Sequence, residues 1–144
     1  MRRILTGVTF VAALTGSALA ADYGSDVVTY GPHGYLPLCD EPSVTARVAE
    51  KFAYYDAHVI QSGVSINGID GPHEVALKAG GPSLVDRRYC GATAWLTDGR
   101  KSEVVYLIEG PKLGTFSIGW HVESCLPGYD PWRIHDARCR SIRP

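Results

Sequence analysis

The sequence predicts an α+β domain, with one N-terminal amphipathic helix packed on an antiparallel β-meander of three or four strands and disulfides stapling the two together. Three observations predict it. Val44, Val48, Phe52, Tyr55 and Val59 recur at spacings of 4, 4, 3 and 4, which is one stripe of a 3.6-residue period. The second half holds three β-rich segments separated by short turn signals. The four cysteines form an even set, and none of them sits in a close Cys-x-x-Cys spacing.

The first twenty residues are expected to be a secretory signal rather than part of the fold. Arg2 and Arg3 precede an apolar run over 4–14, and Ser17-Ala18-Leu19-Ala20 supplies small residues where a signal peptidase reads. A membrane anchor needs about 20 consecutive apolar residues. This run is shorter and is interrupted by Thr6, Gly7 and Thr9, so no stable membrane span is expected. Residues 21–38 read as a Gly-, Pro- and Tyr-rich lead-in with a strand-like Val27-Val28-Thr29-Tyr30, and the single α+β domain is expected over 39–144.

The helix is expected from Pro42, with Asp40 and Ser43 as capping candidates, to about His58. Arg47, Glu50, Lys51 and Asp56 make its polar face. Gly63, Asn67-Gly68 and Asp70-Gly71-Pro72 then read as turns, and the pattern over 74–78 leaves its structure open before Gly80-Gly81-Pro82.

The strands are expected over 88–96, 103–108 and 115–123, joined by Asp98-Gly99 and by a turn over 110–114. A two-residue turn at Asp98-Gly99 would pair Ala92 with Val105 and Cys90 with Leu107, on one face with Phe116, Ile118, Trp120 and Val122, and the helix packs there. The opposite face would carry Thr93, Trp95, Val104, Tyr106, Ile108, Ser117 and His121. That set is too apolar to be merely wet, so the lead-in, the C-terminal segment or another molecule should cover it. Trp95, Tyr106 and, in the closing loop, Trp132 are the binding candidates.

Cys39, Cys90, Cys125 and Cys139 read as two disulfides of an oxidising compartment. Three pairings are possible. The favoured one joins Cys125 to Cys139 around a compact Pro/Gly segment, and Cys39 to Cys90, tying the helix entrance to the first strand of the sheet.

Fourteen basic residues against fifteen acidic ones give a formal charge of -1. Without residues 1–20, which hold two arginines and no acid, twelve basic residues face fifteen acidic ones and the charge is -3. That balance lacks the basic footprint of a nucleic-acid partner or a polybasic membrane-surface protein. No Gly-x-Ser-x-Gly elbow, phosphate-binding glycine pattern, haem-attachment motif or calcium loop occurs, and the reading assigns no cofactor and no metal. His121 and Glu123, two apart on a strand and so on one face, are the one catalytic candidate, as an acid/base pair or two legs of a metal site. His135 with Asp136, or His33 and His73, would have to complete it.

The runs over 89–96, 105–109 and 118–125 carry Tyr89-Cys90-Gly91, Val105-Tyr106-Leu107 and Gly119-Trp120-His121. Over about the last 55 residues the chain resembles small exported bacterial proteins of unassigned function, a resemblance that implies no activity. Its helix-then-meander outline is similar in architecture to cystatin-like and nuclear-transport-factor-like rolls, which host binding and catalysis alike. The reading favours a periplasmic or secreted binding domain whose partner is another envelope or secreted protein or a small ligand. Its alternatives are a small hydrolase or metal-dependent enzyme using His121 and Glu123, and a structural envelope component.

Overall fold

The computed structural model describes residues 30–31, 34–79, 85–110 and 119–144. The expected signal segment, most of the lead-in, His33, the Gly80-Gly81-Pro82 break and the stretch with Phe116, Ser117 and Ile118 lie outside the described residues. Strands β1 (Tyr30–Gly31) and β2 (Gly34–Tyr35) form a short antiparallel ladder, followed by helix α1 (Pro42–Tyr55) and the strands β3 (Ile66–Lys78), β4 (Arg87–Leu96), β5 (Lys101–Glu109) and β6 (His121–Cys125). The last four make one antiparallel sheet in the order β3-β4-β5-β6, with α1 packed against both edge strands. The α+β class, the single helix and the antiparallel sheet are therefore as the sequence predicts.

α1 forms because its apolar stripe matches the helical period. Val44, Val48 and Phe52 are its buried residues, and Pro42 opens the first turn, where no N–H partner is required. Neither Asp40 nor Ser43 caps it. Glu41 holds that position, and its side-chain Oε1 accepts from the Leu38 amide at 3.0 Å.

The end of the helix departs from expectation. After Tyr55 the backbone widens into a π turn over Asp56–Ile60, closed by Gln61 in the left-handed region at φ 55°. A π turn adds a residue to the repeat, so the stripe loses register. Val59 turns outward and is exposed, whereas Asp56, expected on the polar face, is buried.

The Asp56 carboxylate accepts from Ser62 N at 3.1 Å, Ser62 Oγ at 2.5 Å and Gly63 N at 2.8 Å, which fixes the chain as it leaves the helix. Burial pushes its pKa up, but the hydrogen bonds from the Ser62 hydroxyl and the loop amides outweigh this and hold it below the ordinary carboxylate value. Its folded pKa thus lies below its unfolded one, so its contribution is complete above about pH 4 and is lost as pH falls through the folded value. Asp56→Ala, which orphans these donors, should cost about 2 kcal/mol at pH 7. In urea denaturation followed by circular dichroism, the gap to the parent should close in the acid range.

β3 corrects the turn reading of 67–72. Gly68, Gly71 and Pro72 all lie within a 13-residue edge strand whose pairing with β4 shifts register three times, between Ile66 and Gly68, Asp70 and His73, and Glu74 and Ala76. An edge strand tolerates a proline and bulges because one side of it has no ladder to satisfy. Opposite the middle bulge, a Cβ at Gly91 would stand 3.2 Å from two atoms of the exposed His73 ring, which would have to give by a few tenths of an ångström.

The β4–β5 register is one residue from the expected one. Ala92 pairs with Val104 and Cys90 with Tyr106, because the connection closes as Leu96 N to Arg100 O at 2.9 Å with Gly99 at φ +83°. The loop is therefore Thr97-Asp98-Gly99, three residues rather than two. A one-residue shift exchanges faces. Val104, Tyr106 and Ile108 join Cys90, Ala92, Ala94, Leu96, Val122 and the helix stripe in the main core, together with Leu36, which lies ahead of the expected domain boundary. Val105 and Leu107 turn to the second face.

Part of that second face is covered by the chain itself. Tyr89, Val105, Leu107 and Cys125 pack with Cys139 and Ile142 of a C-terminal 3-10 segment, Ala137–Ile142. The third expected strand is described over His121–Cys125, with Trp120 half-buried just before it and the Arg47 guanidinium 4.1 Å from its ring centre. Both disulfides are the favoured pairs, Cys39–Cys90 and Cys125–Cys139, 51 and 14 residues apart in sequence.

Candidate functional site

His121 and Glu123 do not form a pair. The His121 ring Nε2 lies 2.8 Å from Glu109 Oε2, and the other oxygen of Glu109 accepts from Arg87 Nε at 2.7 Å. Glu123 instead receives Lys51 Nζ at 2.7 Å from α1. Among the described residues no three His, Cys, Asp or Glu side chains gather as metal ligands, so neither His73 nor the His135 and Asp136 pair completes a set with them.

The three aromatic binding candidates separate. Tyr106 is 0% exposed, and its hydroxyl donates to the Cys39 carbonyl at 2.7 Å. Burial, with Asp40 adding to it, pushes its phenol far above the ordinary value. It anchors the helix entrance to the sheet from inside the main core. Trp95 stays exposed on the second face, with Lys101 Nζ 3.7 Å from its ring centre. Trp132 is 70% exposed in the C-terminal loop.

A concavity lies between the end of α1, its π turn, β6 and that loop. Phe52, Tyr54, Tyr55 and Ile60 form one wall and Ser124, Cys125, Leu126 and Tyr129 the other, with Lys51, Glu123, Asp130 and His135 completing the lining. Its volume is about 240 Å3. Each wall has a local cause. The π turn places Ile60 and Tyr55 together, and Phe52, the last buried residue of the stripe, meets the edge of the Tyr129 ring at 5.9 Å between centroids and 81° between planes.

The loop wall is held by an aspartate and a disulfide. Asp130 accepts from Ile134 N and His135 N, both at 2.9 Å, which folds the loop back on itself. The Cys125–Cys139 bridge ties the following segment to β6. Arg133, Asp136, Arg138 and Cys139 all have φ between 52° and 61°, a left-handed run that non-glycine residues adopt only when held.

The pocket is apolar along its walls and negative at its rim. The Tyr55 phenol is pushed above its ordinary value, first by burial and then by the carboxylates of Asp130 and Glu123. Tyr129 is raised as well, by burial foremost, while the Arg100 guanidinium 5.2 Å from its ring centre works the other way.

Sequence reasoning reached Lys51, Phe52, Tyr55 and Glu123 as helix and strand residues without joining them. The loop contributors Tyr129, Asp130 and His135 gave no periodic signal that would have placed them. No protein family, no curated protein and no solved structure matches the chain.

Proposed function

We propose that the protein is an exported, disulfide-bonded binding domain that takes a small ligand in the pocket between α1 and the C-terminal loop. The observation that carries this reading is the aromatic lining of a 240 Å3 concavity by Phe52, Tyr54, Tyr55 and Tyr129. An apolar cavity of roughly 150 Å3 admits a benzene ring, so one ring with a small substituent fits. Ligand sites characteristically combine apolar walls with a few polar groups, and π turns recur at functional sites. Export is supported by the signal-like pattern over 1–20 and by two disulfides that an oxidising compartment sustains.

Cys139 and Ile142 cover the part of the second face around Tyr89, Val105 and Leu107, and what stays open there is the single aromatic side chain of Trp95, whereas the pocket gathers four. The test is an amide-resolved NMR titration of the oxidised protein with indole. Saturable shifts should centre on Phe52, Tyr55, Leu126 and Tyr129. Shifts centred on Trp95 and Lys101, or no saturation anywhere, would overturn the assignment.

A further inference from the structure

We infer that the ligand of this pocket is a small organic ammonium ion, held on aromatic ring faces with its charge toward Asp130 and Glu123. The inference rests on the pocket being the binding site and adds the chemical class. Phe52, Tyr55 and Tyr129 supply electron-rich rings, and a cation over such a face is attracted to it most strongly where water is excluded.

Charge decides between a cation and a neutral guest. The pocket is lined by two acids, Asp130 and Glu123, by Lys51, already engaged with Glu123 at 2.7 Å, and by the imidazole of His135. Among the described residues the hydrogen bonds to the Asp130 carboxylate come from backbone amides, and both carboxylates act on the Tyr55 phenol. Cations already rest on aromatic rings elsewhere in the fold, Arg47 over Trp120 and Lys101 over Trp95, and Arg100, paired with Asp98, lies 5.2 Å from the centre of the Tyr129 ring. An anionic guest would meet two carboxylates. A neutral one would leave the field of Asp130 unanswered.

Choline and its neutral isostere 3,3-dimethylbutan-1-ol test the inference, titrated into the oxidised protein by the same NMR measurement. In a pocket that is only apolar the alcohol binds more tightly, because the ammonium must shed its hydration. The inference predicts the reverse order, by about tenfold. Lys51→Gln should tighten choline by about threefold and Glu123→Gln should weaken it by a similar factor, as befits half-exposed charges. A misfolded variant would not gain affinity, so the Lys51→Gln arm stands apart from any loss of structure. Equal binding, or preference for the alcohol, overturns the cation while leaving the pocket as the binding site. Failure of indole to saturate the pocket overturns both.

Discussion

Replacing Cys39 and Cys90 with alanine together is expected to destabilise the protein by about 4 kcal/mol. The bridge closes a segment of 51 residues, and in the loop-entropy account the gain grows with that length. Its position adds to the effect. Cys39 stands just ahead of α1 and Cys90 lies in β4, so the bond crosses the interface between helix and sheet that holds the main core. Tyr106 holds the same point from the opposite strand through the Cys39 carbonyl. Denaturation in urea, with and without reductant, checks this. In reductant, where both bridges are open, the double variant should match the parent, and a loss under about 1 kcal/mol between the two oxidised proteins would show the interface to be self-sufficient.

Phe52→Ala should cost about 3 to 4 kcal/mol, the range for removing a large buried aromatic side chain. Phe52 is 5% exposed, ends the buried stripe of α1 and meets the Tyr129 ring edge-on. Val59→Ala is the matched contrast. It falls on the same predicted stripe, but the π turn carries it to the surface, so the change should stay within about 0.5 kcal/mol. Urea denaturation of the two variants side by side reads the register of the helix end directly. Comparable losses at both positions would mean that the stripe runs through to Val59 as an unbroken α-helix.

That contrast also marks where the sequence was legible. Val44, Val48 and Phe52 declare the helix because their burial is one-sided and periodic. β5 declares itself as a strand, yet Val104 to Ile108 is apolar without alternation because both faces of the sheet are covered there. Periodicity then holds no register. The choice fell to the Asp98-Gly99 turn, where one additional loop residue exchanged the two faces. β3 was hidden by Gly68, Gly71 and Pro72, which an edge strand accommodates in bulges and which read locally as turns.

The disulfide pairs were legible because chain order and compactness favour them. The pocket was not, since it needs the loop around Asp130 to fold against the end of α1. That contact depends on the Asp130 backbone hydrogen bonds and on the Cys125–Cys139 bridge, neither of which leaves a periodic trace.

The Cys125–Cys139 bridge is expected to shape the proposed binding pocket as well as to stabilise the fold. Its loop of 14 residues is worth about 3 kcal/mol in the loop-entropy account. The bridge also holds β6 against the segment that follows the pocket's loop wall. Indole affinity measured by NMR in the oxidised parent and in the Cys125→Ala/Cys139→Ala double variant tests this most directly, with far-ultraviolet circular dichroism confirming that the helix and sheet persist. The account predicts a folded variant whose indole binding is weakened at least about tenfold, as a wall of the pocket loosens. A folded variant that binds indole as tightly as the parent, with shifts at the same residues, would contradict it.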